Sequence, residues 1–373
     1  MTPMFSRRSN WNAPTNRLTL ARQRRGADAL DLTESNPTRA AIEYPLDALS
    51  EIFARASRTP YTPDPLGLLS AREALATHLG CDADDLIITA STSEAYAFLF
   101  KLLCDPGDEI VTAIPSYPLL EHLGALELTS LRPFALELHR RWEIDLSRVR
   151  DAITARTRAI VVINPNNPTG SFVASDEQEA LAGLGLPIIS DEVFLDYPLE
   201  ANGSSFVRRE VPTFILGGLS KSAGLPHFKL GWIRVSGPKR KEAIGALELI
   251  ADNFLSVATP VQVALPDLLR IAPGIRSAIA FRIRRNLDHL RSISPPSLRV
   301  LPVEGGWSAV VRVPSTGSDE ELALRLIEEQ GVIVHPGYFF DFPGDGYLVV
   351  SLLTQPETFS EGARRIMNMI GKG

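Results

Sequence analysis

The 373 residues are 45% apolar and carry 44 acidic against 38 basic side chains, a formal net charge of −6. A chain this long outgrows one simple core, so one large domain and a smaller one are expected, and the acidic balance argues against the basic face of a nucleic-acid binder. No run approaches 18 apolar residues, the N-terminal MTPMFSRRSNWNAPTNR lacks a leader-like apolar core, and Cys81 and Cys104 give no disulfide framework; no membrane span and a reducing cytoplasm are therefore expected.

Residues 1–45 read as an extended, polar, proline-containing arm. Apolar spacing of three and four predicts helices over 46–56, 66–80 and 93–104. Short apolar runs predict strands at 86–89, 109–114, 131–138, 159–165, 186–190, 213–218 and 230–235. Helical segments fall between several of them, near 145–154, 176–183 and 197–210. Buried strands alternating with helices imply an α/β fold with a mostly parallel seven-stranded sheet between helical layers.

After residue 238 the texture changes. Three consecutive helices are predicted over 239–255, 260–272 and 274–293. They are followed by a strand at 307–313, a helix at 319–331, strands at 332–336 and 347–353, and a terminal helix near 357–370. This is the pattern of a smaller α+β domain. The expected division is 1–45 for the arm and part of the small domain, 46–258 for the large domain, and 259–373 for the C-terminal small domain.

In open α/β sheets ligands gather at the carboxyl ends of the strands. Here those ends carry unusual residues: STSEAY after 86–89, PSYP after 109–114, NPNNPTG after 159–163, Asp191 after 186–190 and GLSK after 213–217. Singly each has an ordinary reading, such as a capping box from Ser91 to Glu94, a turn, a helix cap or a surface lysine. Together and in order they describe one chemistry. The chain holds 32 arginines and only six lysines, yet Lys221 and Lys229 lie within one short segment, SKSAGLPHFKLGW. A lysine amine forms a Schiff base with an aldehyde, which arginine cannot do. Pyridoxal 5′-phosphate needs, besides that lysine, helix-terminal N–H groups for its phosphate, an aromatic for its ring, a carboxylate for its pyridinium nitrogen and a neutral donor for its phenolic oxygen. Thr92 and Ser93, Tyr117, Asp191 and Asn167 can supply these in turn.

Across nearly its whole length the chain resembles the class I/II aminotransferases of the aspartate-aminotransferase fold, fold type I of the pyridoxal-phosphate enzymes. The marks are ESNPTR (34–39), YTPDPLGLLSAR from Tyr61 to Arg72, STSEAY, DPGDE (105–109), PSYP, NPNNPTG, SDEVF (190–194) and SKSAGLPHFKLGW. The resemblance implies that Lys221 links to the cofactor and shuttles the proton. It implies that Asp191 pairs with the ring nitrogen, Asn167 donates to the phenolic oxygen and Tyr117 stacks. Thr92, Ser93 and Ser220 would bind phosphate, with Lys229 adding charge. Tyr61 would reach the phosphate of a neighbouring subunit in a homodimer with shared active sites, and Asn36 would line the substrate side. The implied reaction moves an amino group from an amino acid or related amine to a keto acid. A β-eliminating lyase or decarboxylase on the same fold is the alternative. A non-enzymatic cofactor-binding regulator is disfavoured because no helix-turn-helix pattern precedes the fold.

Three positions depart from the pattern. Lys229 stands where relatives carry arginine, and Phe194 where many carry a tyrosine hydroxyl, with Tyr197 a candidate stand-in. Val349, in GYLVVS, stands where an arginine clamps the substrate α-carboxylate. Arg39 is the first candidate to replace it and Arg312 the second. His335, before a Pro-Gly loop, reads as structural.

Overall fold

The computed structural model describes residues 4–314 and 317–371; the first three residues of the predicted arm lie outside that range. Its centre is a seven-stranded sheet. The strands are β1 (Leu86–Thr89), β2 (Glu109–Ile114), β3 (Ser130–Ala135), β4 (Thr157–Ile163), β5 (Ile188–Asp191), β6 (Thr213–Gly218) and β7 (Gly231–Ser236). Their spatial order is β1-β7-β6-β5-β4-β2-β3. Only β7 runs against its neighbours, pairing antiparallel with both β1 and β6. A mostly parallel sheet of the predicted size is thus present.

Alternation along the strands builds two cores. In β4, Ala159, Val161 and Ile163 join Leu99 and Phe98 of the helix Thr92–Leu103 on one face. Ile160 and Val162 join Val149 and Leu181, from helices Leu146–Ala152 and Ser175–Ala182, on the other. Side chains two apart share a face, so a run apolar at every position requires helices on both sides. β3 is the exposed edge, and its Arg132 and Pro133 are residues that discourage further strand pairing.

A second, antiparallel four-stranded sheet follows: β8 (Arg299–Val300), β9 (Ser308–Arg312), β10 (His335–Pro336) and β11 (Tyr347–Ser351), ordered β8-β9-β11-β10. Ala309, Val311, Leu348 and Val350 face the helices Thr259–Ile293 and Pro356–Ile370. Val310 and Val349 face the core formed with Leu301, Phe340 and Phe342.

Several expectations are corrected. The two helices predicted over 260–293 are one helix of 35 residues that contains Pro266 and Pro273. Its buried residues, from Val261 through Leu268, Ala272 and Ile275 to Leu290, keep one face turned inward across both prolines, and this packing outweighs the lost backbone donors. No helix forms over 197–210; there the backbone N–H groups of Leu199 and Glu200 donate to the Glu304 carbonyl instead. The arm is not wholly extended: Asn16 caps a helix, Arg17–Arg25, and Leu30–Asp31 pairs in parallel with Val332–Ile333. The predicted strand at 332–336 is two short strands with different partners. A helix absent from the sequence reading, Leu119–Leu126, follows β2.

Candidate active site

The carboxyl ends of the parallel strands and the start of antiparallel β7 share one rim, which is why Lys229 precedes its strand while Lys221 follows one. The rim encloses a cavity of about 350 Å³, within the size range of small-molecule sites. Thr92, Ser93, Tyr117, Asn167, Asp191, Ser220, Lys221 and Lys229 all line it.

One end of the cavity is built for an anion. The helix Thr92–Leu103 starts there, and its first-turn N–H groups lack intrahelical acceptors. Ser91 is the N-cap, its side chain accepting from Glu94 N at 3.2 Å. The predicted box closes one residue early, because the Glu94 carboxylate accepts from Ala90 N at 2.7 Å and from Ser256 Oγ at 2.8 Å. Lys229, at a positive φ of 50°, and Ser220 also line the cavity.

Asp191 is buried at the end of β5. Its carboxylate accepts from Tyr96 Oη at 3.1 Å and from Val193 N at 3.2 Å. Burial pushes its pKa up to about 6, against the opposing pull of these donors and of the Lys221 charge. Among the described residues no arginine or lysine hydrogen-bonds to it; its donors are Tyr96 and Val193.

Lys221 sits in the four-residue turn Leu219–Ser222 that continues β6. Burial lowers its pKa to about 8, with Asp191 and Glu34 pulling the other way. Its Nζ donates to the Ser35 carbonyl at 3.3 Å and lies 4.8 Å from the Trp307 ring centre and 5.6 Å from that of Phe194. An amine with a pKa near 8 is available as a nucleophile at mildly alkaline pH.

The NPNNPTG loop shows which asparagine is free to act. Asn164 donates to Ser204 O and accepts from Val173 N. Asn166 donates to Pro115 O and Thr169 Oγ1. Both hold the loop, and only Asn167 of the three lines the cavity. Gly170 ends the loop at φ 72°, where a Cβ would come 2.5 Å from Gly305 O. Its carbonyl accepts from Gly305 N at 2.8 Å, joining the loop to the segment that carries Trp307.

Other sequence candidates lie apart. Asn36 Oδ1 accepts from Thr38 N and Oγ1, forming a turn beside Ser35. Arg39 has a 72% exposed side chain that pairs with Glu34 at 3.4 Å and does not line the cavity. Arg312 lies 4.1 Å from the Tyr347 ring centre and donates to Asp345 O. Tyr61 is exposed on a separate surface with Leu255 and Ser256. His335 is mostly buried against Phe339 and Phe340, and burial lowers its pKa, as fits a structural side chain.

Tyr197 does not stand in for the hydroxyl missing at Phe194. It is fully buried and donates to the Lys221 carbonyl at 2.6 Å. Tyr197→Phe should cost about 1 kcal/mol of stability, the net worth of one such bond. Denaturant unfolding checks this, and an unchanged midpoint would contradict it.

Sequence reading missed Tyr96, Trp307, the Ser35 carbonyl and the apolar wall of Leu119, Leu120 and Leu123. Tyr96 had a signal, since it lies one turn beyond Thr92 and Ser93 on the same helix. Trp307 had none beyond being an aromatic after a Gly-Gly pair.

The sequence profile described as Aminotransferase class I and II matches residues 27–366. The chain belongs to this family. It is 34% identical over 323 residues to nicotianamine aminotransferase 1 of Oryza sativa subsp. japonica, a match covering 78% of this chain and 64% of that protein. It is 29% identical over 371 residues to the aspartate/prephenate aminotransferase of Thermus thermophilus, covering 94% and 93%. A solved structure of the Thermus thermophilus aspartate aminotransferase with maleate superposes with a TM-score of 0.85 at 26% identity, covering 98% of this chain and 99% of that one. The fold is therefore that of the aspartate aminotransferases.

Proposed function

We propose that the protein is a pyridoxal-phosphate-dependent aminotransferase acting through Lys221, moving an amino group from an amino acid or related amine to a keto acid. The observation that carries this reading is the convergence of Lys221, Asp191, Asn167, Tyr117 and a helix N-terminus on one cavity. Family membership and the names of the relatives support it. The buried Asp191 and the cationic, hydroxyl-lined end fit the two ends of this cofactor.

When bound, pyridoxal phosphate supplies an aldehyde for Schiff-base chemistry and a ring that withdraws electrons. Thr92, Ser93 and Ser220 would donate to its phosphate, with Lys229 offsetting charge as an ammonium rather than a bidentate guanidinium. Asp191, oriented by Tyr96, would hold the proton on the ring nitrogen. Asn167 would donate to the phenolic oxygen, and Tyr117 would cover a ring face. The Lys221 amine would make the covalent link and then carry the proton to and from the substrate carbon.

A homodimer fits the exposed Tyr61 (68%), the exposed Leu255 that shares its surface, and the exposed Phe254 that precedes Leu255 and packs on Phe98 of the same surface. Phe254→Glu should shift the protein to monomer in sedimentation; an unchanged dimer would remove this face from the account. A division near residue 258 fits the two sheets and the long helix that starts at Thr259. No helix among the described residues is long and apolar enough to cross a membrane, and a cytoplasmic setting fits two unpaired cysteines.

The test is spectral titration of the purified protein with a panel of amino compounds. Amino transfer to the cofactor, and its reversal by a carbonyl acceptor, is the expected result. A cofactor-loaded protein that instead releases an elimination or decarboxylation product would overturn the reading.

A further inference from the structure

The main chain that carries Lys221 is held from outside the cavity. Tyr197 Oη donates to the Lys221 carbonyl at 2.6 Å, and Tyr44 Oη donates to the Gly224 carbonyl at 2.6 Å. The two phenols reach one short stretch from segments far apart in sequence, and neither lines the cavity. Burial pushes the Tyr44 pKa up to about 12 and raises that of Tyr197 as well, so both hydroxyls keep their protons and act as donors. Inside the turn the Lys221 carbonyl already accepts from Gly224 N at 3.0 Å. The Tyr197 bond therefore restrains a carbonyl that has a first partner, using its second lone pair.

One helix anchors both phenol segments and the turn. On Thr259–Ile293, Arg276 pairs with Asp196, the neighbour of Tyr197, at 2.6 Å. Arg282 Nη1 donates to Ala40 O at 2.8 Å, on the segment that leads to Tyr44. Ile279 and Ile275 press on Gly224, where a Cβ would come within 2.8 and 2.9 Å of them. Tyr197 is also fixed from the other side, its carbonyl accepting from Gly306 N at 2.9 Å. Its ring centre lies 5.1 Å from that of Trp307, the aromatic that faces Lys221 Nζ. Tyr197 thus touches the root of Lys221 directly and its tip through Trp307.

Resting on the proposed function and deepening it, we infer that Tyr197 and Tyr44 are positioning residues for Lys221, fixing the main chain from which its amine reaches the cofactor aldehyde and the substrate carbon. A lysine side chain swings on four methylenes, so its reach is reproducible only from a fixed root. Reacting atoms must be held about 3–3.5 Å apart, and a displacement on the order of 1 Å costs roughly 10²-fold in rate.

The experiment uses the full-length cofactor-free protein and its Tyr197→Phe and Tyr44→Phe variants, which keep each ring and remove one hydroxyl. The rate of covalent capture of pyridoxal phosphate is read by borohydride quenching and the mass of the Lys221 peptide. Capture joins Nζ to the aldehyde carbon and releases the aldehyde oxygen as water, with no change in oxidation state. Affinity for pyridoxine phosphate, which lacks the aldehyde and binds without a link, is read alongside. Each variant should capture the cofactor ~10-fold more slowly, the effect of a partial misplacement, with its affinity for pyridoxine phosphate nearly unchanged. In loaded protein kcat for amino transfer should fall by a similar factor with KM little changed. Should one variant not fold, the other carries the same test. A purely structural role would lower stability and leave capture by the folded variants at the parental rate, and that result overturns the inference while the proposed function stands. An affinity for pyridoxine phosphate that falls as far as the rate also overturns it, because the whole cavity would then have changed shape. If the parent protein captures no cofactor at Lys221, the proposed function falls, and the inference with it.

Discussion

Lys221→Arg should abolish amino transfer, with a loss of ~10⁴-fold or more, while leaving the fold intact. A guanidinium keeps its proton across the working pH range and cannot attack an aldehyde or return a proton to carbon. The loss combines a missing nucleophile with a missing acid–base group, the latter alone contributing up to about 10⁴-fold. The charge and much of the length are preserved, so the cavity should still take up cofactor without a covalent link. Mass spectrometry after borohydride treatment checks this, and any lysine-linked cofactor in the variant would contradict the assignment. In the parent protein, burial lowers the Lys221 pKa from its ordinary 10.5 to about 8. The rate of covalent cofactor uptake by cofactor-free protein should therefore rise with pH and level off above about pH 8.

Asp191→Asn should have opposite effects on activity and on stability. Activity should fall by roughly 10²–10⁴-fold, because an amide cannot hold the ring nitrogen protonated. The cofactor-free protein should become more stable. The Asp191 carboxyl has a pKa raised from 3.8 to about 6 by burial. Its ionised form is thus disfavoured in the folded state by about 3 kcal/mol. Below pH 3.8 the group is protonated whether folded or unfolded, and the penalty is absent; it grows between the two values and is complete above about pH 6. The stability gain should be large near pH 7.5 and small near pH 4.5 in denaturant unfolding. An equal gain at both pH values would mean that the buried charge is not its cause.

The parts that sequence made legible are those where one local rule dominates. The β4 run TRAIVVI is apolar at nearly every position, a pattern that only a strand covered on both faces tolerates. The rim residues were legible because each follows a strand end, and strand ends in a parallel sheet converge. Where two rules compete, reading failed. The expected helices stopped on either side of Pro273, yet the apolar stripe from Val261 to Leu290 runs through it as it does through Pro266, and tertiary packing prevails. Segment 197–210 carried some helical spacing, but Pro198 and the Asn202-Gly203 pair turn the chain, and its backbone finds Glu304 instead. Long-range placement was beyond reach. Nothing local to Trp307 or Ser35 reveals that they meet at Lys221, because contacts between such distant segments are made by the fold and not by spacing.

The most direct test is borohydride reduction of the purified protein followed by peptide mapping. The account predicts a single pyridoxyl-phosphate label on the peptide containing Lys221, and none once an amino donor has converted the cofactor beforehand. A label on another lysine, or no retained cofactor, would contradict it.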